Sequence, residues 1–303
     1  MIEKIYIPTM GRADVQITYD NLPEKYRKMV TFVVPYEERD DYGKYDRKQI
    51  LATDKGLKGI ARTREFICRD AGKIRFSMID DDVIFYRRNQ KYYSDYGKKS
   101  NMKSSKRKFT KKDFDVMFNL FDSWMDDDYI HIGHRRANLP PLNKSHNDIS
   151  FFNSIHHING NLLSKIIDDI NWTLCEVGED ANFMFEYLSR GFKNRKSCEF
   201  SAHWDSFQEG GCAVYRDAKF HNREHKKLLK RWGPDAVFIR VKNFMAQGTH
   251  GHNIGKINEY SYKPRYIYKL GLQENAIKND EKDKLMVHTH REKFNEELGE
   301  KLK

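Results

Sequence analysis

Hydrophobic and polar positions in the first 80 residues predict strands that alternate with helices. Apolar side chains occupy every second position of KIYIPT (4–9), and the apolar runs MVTFVV (29–34) and IRFSMI (74–79) are typical of buried strands. Residues 55–72 carry apolar positions at helical spacing and end at Gly72. Such alternation predicts a doubly wound α/β sheet flanked by helices.

The remaining pattern predicts a single domain. Residues 13–22, 113–125 and 178–191 have the apolar spacing of helices, and charged residues dominate the end of the chain. No Pro/Gly-rich linker or internal repeat interrupts the sequence. We therefore expect one domain over 1–270, followed by a charged C-terminal helix or tail over 271–303.

Composition argues against a membrane protein. No stretch of the 303 residues approaches the roughly 18 apolar residues that a membrane span needs. The N-terminus, MIEKIYIPTM, lacks the features of a signal peptide, so a cytoplasmic protein is expected. The four cysteines show no C-x-x-C pair and no zinc-ligand spacing, which predicts free thiols; they are Cys68, Cys175, Cys198 and Cys212.

The charge balance favours a polyanionic partner. The net charge is +11, which suits nucleic acid, although a generally lysine-rich composition would give the same excess. Residues 98–112 contain eight Lys or Arg and no acid, so this basic block is expected to be mobile. It could serve as a lid or a DNA-contacting arm, and a solvated loop is an equally good account.

Three consecutive acids mark the end of the third predicted strand. Asp80, Asp81 and Asp82 follow IRFSMI directly, and ligands of doubly wound sheets bind beyond the carboxyl ends of the strands. Asp80 and Asp82 could face one divalent cation, which would offset their repulsion and neutralise a diphosphate, while Asp81 turns to a sugar hydroxyl or a backbone amide. A second triplet, Asp126–Asp128, follows a helical pattern and is expected to be ordinary surface.

Glu179 and Asp180 open the helix predicted over 178–191, and two interpretations stay open. Carboxylates at a helix N-terminus are stabilised by free N–H groups, so the pair could simply cap the helix. The functional alternative is a general base that takes a proton from an acceptor hydroxyl.

Arginines and histidines supply weaker signals. Arg12 and Arg64 lie near the starts of predicted helices, where guanidinium groups suit phosphates, and surface arginine is the alternative. His252 is a candidate for a later metal ligand, with His203 as its rival. His131 and His134 could line a cleft or a nucleic-acid surface.

An ordered set of short motifs resembles the TET/JBP-associated glycosyltransferases of bacteriophages. The resemblance runs from residue 5 to about 217 and is weak beyond. Its motifs are IPTMGRADVQ (7–16), GIARTREFI (59–67), SMIDDDVIFYRR (77–88), HIGHRRANLP (131–140), GEDANFMFEYLSRG (178–191) and GGCAVYRD (210–217).

The resemblance implies a GT-A-like fold, a sugar nucleotide donor, Mn²⁺ or Mg²⁺, and an acceptor hydroxyl on a modified pyrimidine in phage DNA. The donor would be UDP-linked, and the simplest acceptor is 5-hydroxymethylcytosine. Asp80 and Asp82 would form the D-x-D metal pair, and Asp180, next to Glu179, would be the base of an inverting transferase. The donor site would further include Pro8, Thr9, Arg12, Arg64, Asp81, Gly210 and Gly211, with Cys212 in its floor.

Three rival functions remain at this level. The same fold could act on a saccharide or protein acceptor, or bind DNA without catalysis. An Asp cluster also suits phosphoryl transfer, but the sequence has no G-x-x-x-x-G-K-[ST] loop.

Overall fold

One large mixed β-sheet forms the centre of the molecule in the computed structural model, which describes residues 1–88, 106–142, 144–204, 216–247 and 253–279. Its strands follow the order β3-β2-β1-β4-β9-β7-β10-β5-β6, and β8 pairs with β10. The strands are β1 Lys4–Pro8, β2 Val30–Val34, β3 Ile50–Ala52, β4 Arg75–Ile79, β5 Ile84–Arg88, β6 Lys106–Lys108, β7 Tyr129–Arg136, β8 His146–Asp148, β9 Ile155–Asn159 and β10 Lys193–His203.

The sheet combines a parallel half with a largely antiparallel half. Strands β3, β2, β1 and β4 run parallel, as the alternation of predicted strands and helices requires. Beyond β4, strand β9 is antiparallel to both β4 and β7, whereas β7 and β10 run parallel. The predicted α/β fold, a mixed sheet flanked by helices in a single domain, is confirmed and is compatible with a GT-A-like architecture.

Helices cover both faces of the sheet, and α3, α4 and α6 lie where the apolar spacing predicts them. Helix α1 is shorter than the predicted 13–22 because a turn at 13–14 precedes it, and the sequence did not predict α2, α5 or α7. The helices are α1 Ile17–Asn21, α2 Glu24–Arg27, α3 Ile60–Ala71, α4 Lys111–Asp126, α5 Gly160–Leu163, α6 Glu179–Leu188, α7 Ala218–Trp232 and α8 Pro264–Asn279.

A two-stranded ribbon follows α7. Strands β11 (Val237–Gln247) and β12 (Asn253–Tyr262) pair antiparallel and lead into α8. Helix α8 spans the expected boundary at 270/271, and the division into 1–270 and 271–303 stays a prediction. In the described part of the chain, no helix combines the length and apolarity that a membrane crossing requires.

Two hydrophobic clusters, one on each face of the sheet, make up the core. Alternation along β1 sends Ile5 and Ile7 into the cluster beneath α4, and Tyr6 into the cluster beneath α3 and α6. The three described cysteines, Cys68, Cys175 and Cys198, are buried free thiols, as predicted.

The basic block was expected to be mobile, but most of its described residues form regular secondary structure. Lys106–Lys108 forms edge strand β6 on β5, and Arg107 pairs with Asp113 in the first turn of α4. Residues 106–112 are therefore part of the folded body rather than a free arm. Residues 98–105 lie outside the described residues.

Histidines from β7 and β9 are buried in the centre of the sheet. His131 and His134 do not line a nucleic-acid surface, because β7 is a central strand covered on both faces. Adjacent His156 and His157 of β9 point to opposite faces, where each meets one histidine of β7. Burial lowers the pKa of all four rings below the usual value, so they are neutral at pH 7.

These four rings predict acid-sensitive folding. The folded protein keeps them neutral, whereas the unfolded chain protonates its histidines below its ordinary pKa of about 6.5. Their contribution to stability is therefore present above pH 6.5 and falls as the pH drops, by up to about 1.4 kcal/mol per pH unit for each ring. Urea unfolding at pH 7.5 and 5.5 measures it, and equal stabilities would contradict the expectation. The variant His134→Gln/His157→Gln should show a shallower dependence.

Candidate active site

The carboxyl ends of β1 and β4 lie side by side and carry the predicted motifs. The two strands are parallel neighbours, with Tyr6 opposite Met78, so the chain leaves both at the same edge of the sheet. Pro8 ends β1, and Thr9 and Arg12 follow it; β4 leads directly into Asp80–Asp82. The sequence motifs therefore meet at the edge where doubly wound sheets bind their ligands.

Asp81 ties the two strand ends together. Its carboxylate accepts hydrogen bonds from Thr9 Oγ1 (2.7 Å) and from Arg12 (2.6 Å), and the residue is only 5% exposed. Gln16 donates to Thr9 Oγ1 (2.8 Å), and the Tyr42 hydroxyl lies 3.0 Å from the same atom. Both oxygens of Asp81 thus contact protein donors, and its contact with a donor substrate stays a prediction.

Thr18 holds the backbone of the acidic loop. Its hydroxyl donates to the carbonyl of Asp80 (2.5 Å) and accepts from the amide of Val83 (2.8 Å). Its own amide donates to the carbonyl of Asp81 (2.9 Å). Helix α1 therefore fixes the loop, which orients the side chains of Asp80 and Asp82.

Asp80 and Asp82 carry negative charge that the described side chains offset only in part. Loss of hydration raises the pKa of Asp80 to about 6, and the same cause, with Asp80 and Asp81 nearby, raises the pKa of Asp82 to about 7. Arg64 lies 3.5 Å from Asp80, and Arg12 lies 3.7 Å from Asp82. Crowded carboxylates that lack counter-charge suit a divalent cation.

The donor set fits Mn²⁺ or Mg²⁺ as a two-carboxylate site. Both cations prefer oxygen ligands, and Mg²⁺ in particular is held by one or two carboxylates together with phosphates and water. Among the described residues, no group of three or more His, Cys, Asp or Glu side chains could hold a metal ion. The expected further ligand, His252, lies outside the described residues.

Arg64 links the acidic loop to the start of α6. The residue is 6% exposed, and its guanidinium lies 3.0 Å from Glu179, pairs closely with Asp180 and approaches Asp80. Three carboxylates from two elements therefore share one buried cation, which we call the Arg64 cluster. The cluster brings the predicted metal loop and the predicted base to one place.

Glu179 and Asp180 do not act as simple helix caps. Gly178 is the residue before the helix, its φ of 84° is one that glycine adopts readily, and no side chain caps the turn. Both carboxylates instead turn to Arg64, and Nε2 of His156 lies 3.1 Å from Oδ1 of Asp180. Simple capping does not describe this pair, and its role as a general base stays a prediction.

The start of α3 is occupied by a protein carboxylate rather than left open. Glu176 Oε2 accepts from the amide of Ala61 (3.3 Å), and a Cβ at Gly59 would lie 2.4 Å from the same oxygen. Arg62 is exposed on this helix, whereas Arg64 is buried. A phosphate at this helix start would have to displace Glu176.

A small cleft opens beside the Arg64 cluster. Trp172 and Phe183 stack within it, with ring centroids 5.0 Å apart. Its lining residues are Ala61, Arg64, Trp172, Glu179, Asn182 and Phe183.

Several predicted residues lie apart from this site or outside the description. Gly210, Gly211 and Cys212 fall outside the described residues, so their place in the donor site stays a prediction. His203 ends β10 and is half-buried. Asp126–Asp128 are exposed at the end of α4, as expected of ordinary surface.

Residues of the site also come from positions that sequence reasoning missed. They share no motif with the acids, because they reach the site from separate elements through the fold. These residues are Gln16, Thr18, Tyr42, His156 and Glu176.

The Arg64 cluster predicts a large stability cost for losing its cation. Arg64→Met should lower the free energy of unfolding by about 3–5 kcal/mol, because Asp80, Glu179 and Asp180 would remain crowded without counter-charge. Arg62→Met, two residues away and exposed, is the matched control and should change it by less than about 0.5 kcal/mol. Urea unfolding measures both, and equal costs would contradict the role assigned to Arg64.

Comparison with known proteins identifies the family of the chain. No protein of curated function and no solved structure matches the chain. A family model described as TET-Associated Glycosyltransferase matches residues 3–201, about two thirds of the chain, and spans every described element of the site. The protein belongs to the TET-associated glycosyltransferase family.

Proposed function

We propose that this glycosyltransferase moves a sugar from a UDP-linked donor to the hydroxyl of a modified pyrimidine in DNA, such as 5-hydroxymethylcytosine. The family supplies the reaction class and its association with base modification. The observation that carries the proposal is the Arg64 cluster, which joins the acidic loop after β4 to the acids that open α6. A donor site and a base must be adjacent for direct transfer.

The donor would lie against the ends of β1 and β4. Asp80 and Asp82 would hold Mn²⁺ or Mg²⁺, which supplies neutralisation of the diphosphate leaving group when bound. Pro8, Thr9 and Arg12 border the same edge and would contact the nucleotide. Gly210 and Gly211 are expected to complete the donor site.

Asp180 would act as the general base. The hydroxymethyl oxygen attacks the anomeric carbon, the bond from that carbon to the diphosphate oxygen breaks, and the hydroxyl proton passes to Asp180. This direct displacement inverts the anomeric configuration. The Arg64 guanidinium favours an ionised Asp180, so the group acts chiefly by orientation, taking the proton as the hydroxyl becomes acidic during attack.

The positive charge of the protein is concentrated in two parts of the chain and supports DNA as the acceptor. Residues 216–279 contain fourteen Lys or Arg and five Asp or Glu, so about a fifth of the chain has a net charge of +9. The basic block at 98–112, the segment singled out from sequence, contributes a further eight positive charges. A concentrated basic surface is the electrostatic footprint of a nucleic-acid protein.

Helix α7 presents this charge on one face. Lys219, Arg223, Lys226 and Lys230 are exposed at helical spacing along one stripe. The opposite face is buried, through His221, His225, Leu228 and Trp232. A stripe of this kind suits a run of backbone phosphates.

The β11–β12 ribbon adds a surface that reaches out from the body. Residues 239–245 are exposed on both faces of β11, with Arg240 and Lys242 among apolar side chains such as Phe244. Two-stranded ribbons of this size enter DNA grooves, and apolar wedges help to unstack bases. An enclosed site requires the acceptor base to leave the stack, so a surface that assists unstacking fits the reaction.

Helix α7 and the β11–β12 ribbon lie next to the proposed general base, Asp180. Tyr262 of β12 packs against Gly178, directly before α6, and accepts or donates a hydrogen bond with Nε2 of His225 in α7 (2.8 Å). DNA held by α7 and the ribbon would therefore approach the end of the molecule that carries Asp180.

Transfer to modified DNA tests the reaction. The protein is incubated with 5-hydroxymethylcytosine DNA, Mn²⁺ and a panel of nucleotide sugars, and the digested nucleosides are weighed. Asp82→Asn and Asp180→Asn should each lower turnover by at least about 100-fold, because they remove the metal ligand and the base. Asp127→Asn, an exposed acid of the second triplet, is the control and should keep normal turnover.

The outcomes separate the rival functions. No mass gain with any donor would overturn the proposal for a DNA acceptor. Transfer to a saccharide or protein instead would identify the protein as a glycosyltransferase with a non-DNA acceptor. Full turnover of Asp82→Asn at saturating Mn²⁺ would refute the metal assignment.

DNA affinity tests the basic surface separately. Lys226→Gln/Lys230→Gln should weaken binding to a duplex and reduce the slope of log K against log salt by about 1.8, since each phosphate contact contributes about 0.9. Lys28→Gln/Lys48→Gln removes the same charge from exposed positions near β2 and β3 and should leave the slope unchanged. Fluorescence anisotropy between 50 and 200 mM salt measures both, and equal effects of the two variants would reject α7 as the DNA surface.

A further inference from the structure

A buried line of polar groups leads from the centre of the sheet to Asp180. Asn194 Nδ2 donates to the Tyr187 hydroxyl (2.7 Å), which lies 3.0 Å from His131 Nδ1. His131 Nε2 lies 2.9 Å from His156 Nδ1, and His156 Nε2 lies 3.1 Å from Asp180 Oδ1. Asn194, Tyr187, His131 and His156 are all buried.

The backbone of Ser150 sets the donor-to-acceptor direction of the hydrogen bonds, starting at Asn194. Asn194 Oδ1 accepts from the amide of Ser150 (2.8 Å), and Nδ2 donates to the Ser150 carbonyl (3.1 Å), which fixes the side-chain amide. Nδ2 therefore presents a proton to the Tyr187 oxygen. The single phenol proton of Tyr187 is then directed to His131 Nδ1.

The protonated nitrogen of each histidine follows from the hydrogen bond that the ring receives. Burial keeps both rings neutral by lowering their pKa values, so each carries one proton. His131 accepts at Nδ1 and must carry its proton on Nε2, which donates to His156 Nδ1. His156 in turn carries its proton on Nε2, the nitrogen that faces Asp180. In the described part of the chain, neither this nitrogen nor Asp180 Oδ1 has a hydrogen-bond partner, and the 3.1 Å between them is within hydrogen-bond distance but outside hydrogen-bond angles, so a small rotation is needed to form the bond.

We propose that Tyr187, His131 and His156 form a relay that positions Asp180 for catalysis by presenting an N–H to its Oδ1. Oδ1 then contacts both Arg64 and His156, which directs Oδ2 toward the acceptor hydroxyl. The three residues are positioning residues, since they act through Asp180. The proposal rests on the proposed function only for the catalytic role of Asp180.

The opposite face of the same strands holds a matched pair that serves no such purpose. His157 lies 2.8 Å from His134 and 2.7 Å from the Ser77 hydroxyl. None of these three side chains contacts the Arg64 cluster through those hydrogen bonds. His157 and His156 are neighbours on β9 and are equally buried. A change at His157 therefore reports what a loss of buried polar structure costs by itself.

Tautomer states test the relay without reference to catalysis. Long-range ¹H–¹⁵N spectra of the ¹⁵N-histidine-labelled protein distinguish rings protonated on Nδ1 from rings protonated on Nε2. Signals are assigned with His131→Gln and His156→Gln. The relay requires the Nε2–H form of both His131 and His156. An Nδ1–H form of either ring would overturn it, whatever the enzyme transfers.

Kinetics test what the relay does. Tyr187→Phe should lower kcat about 10-fold and His156→Leu about 100-fold, with little change in KM for donor or DNA, because orienting partners of this kind contribute about 10–100-fold. His156→Gln, whose amide can donate to Asp180, should recover part of the loss. His157→Leu, at matched folded fraction, should keep kcat within about twofold.

The result decides in either direction. A loss of kcat in His157→Leu equal to that in His156→Leu, or unchanged kcat in both Tyr187→Phe and His156→Leu, would show that the line is structural only. Absence of transfer by the unaltered protein would instead count against the proposed function, and the tautomer spectra would still decide the relay.

Discussion

A single buried guanidinium organises the site. Arg64 emerges from α3, on one side of the parallel strands, and meets Asp80 after β4 together with Glu179 and Asp180 at the start of α6. These three carboxylates share the one cation, which offsets the repulsion expected of carboxylates withdrawn from water. The relative placement of α3, β4 and α6 therefore depends on this one cation.

The surrounding contacts divide the acids by role. Asp81 is committed to Thr9 and Arg12 and joins the ends of β1 and β4, whereas the charge of Asp80 and Asp82 at the same edge is offset only in part. Glu176 occupies the start of α3 and accepts from the amide of Ala61 there. The proposed donor site and the proposed base thus use different acids from one crowded set.

Local patterns predicted the first half of the sheet and the acidic loop because both depend on residues near one another in the sequence. Apolar runs marked β1, β2 and β4, and their carboxyl ends located Asp80–Asp82. The antiparallel half escaped prediction because β9, IHHIN, carries buried polar side chains that break the expected alternation. The partners that make those histidines tolerable come from β7 and α6, and only tertiary structure brings them together.

The adjacency of His156 and His157 gives strand β9 an unusual constraint. Shifting its pairing by one residue would exchange the two rings between faces, placing His157 toward α6 and His156 beneath α4. Hydrophobicity alone would oppose such a slip only weakly, since both rings are histidine. Discrimination between the two registers therefore depends on hydrogen bonding to Ser77 on one side and to His131 on the other, so that polar pairing in the core specifies the alignment that apolar packing usually sets.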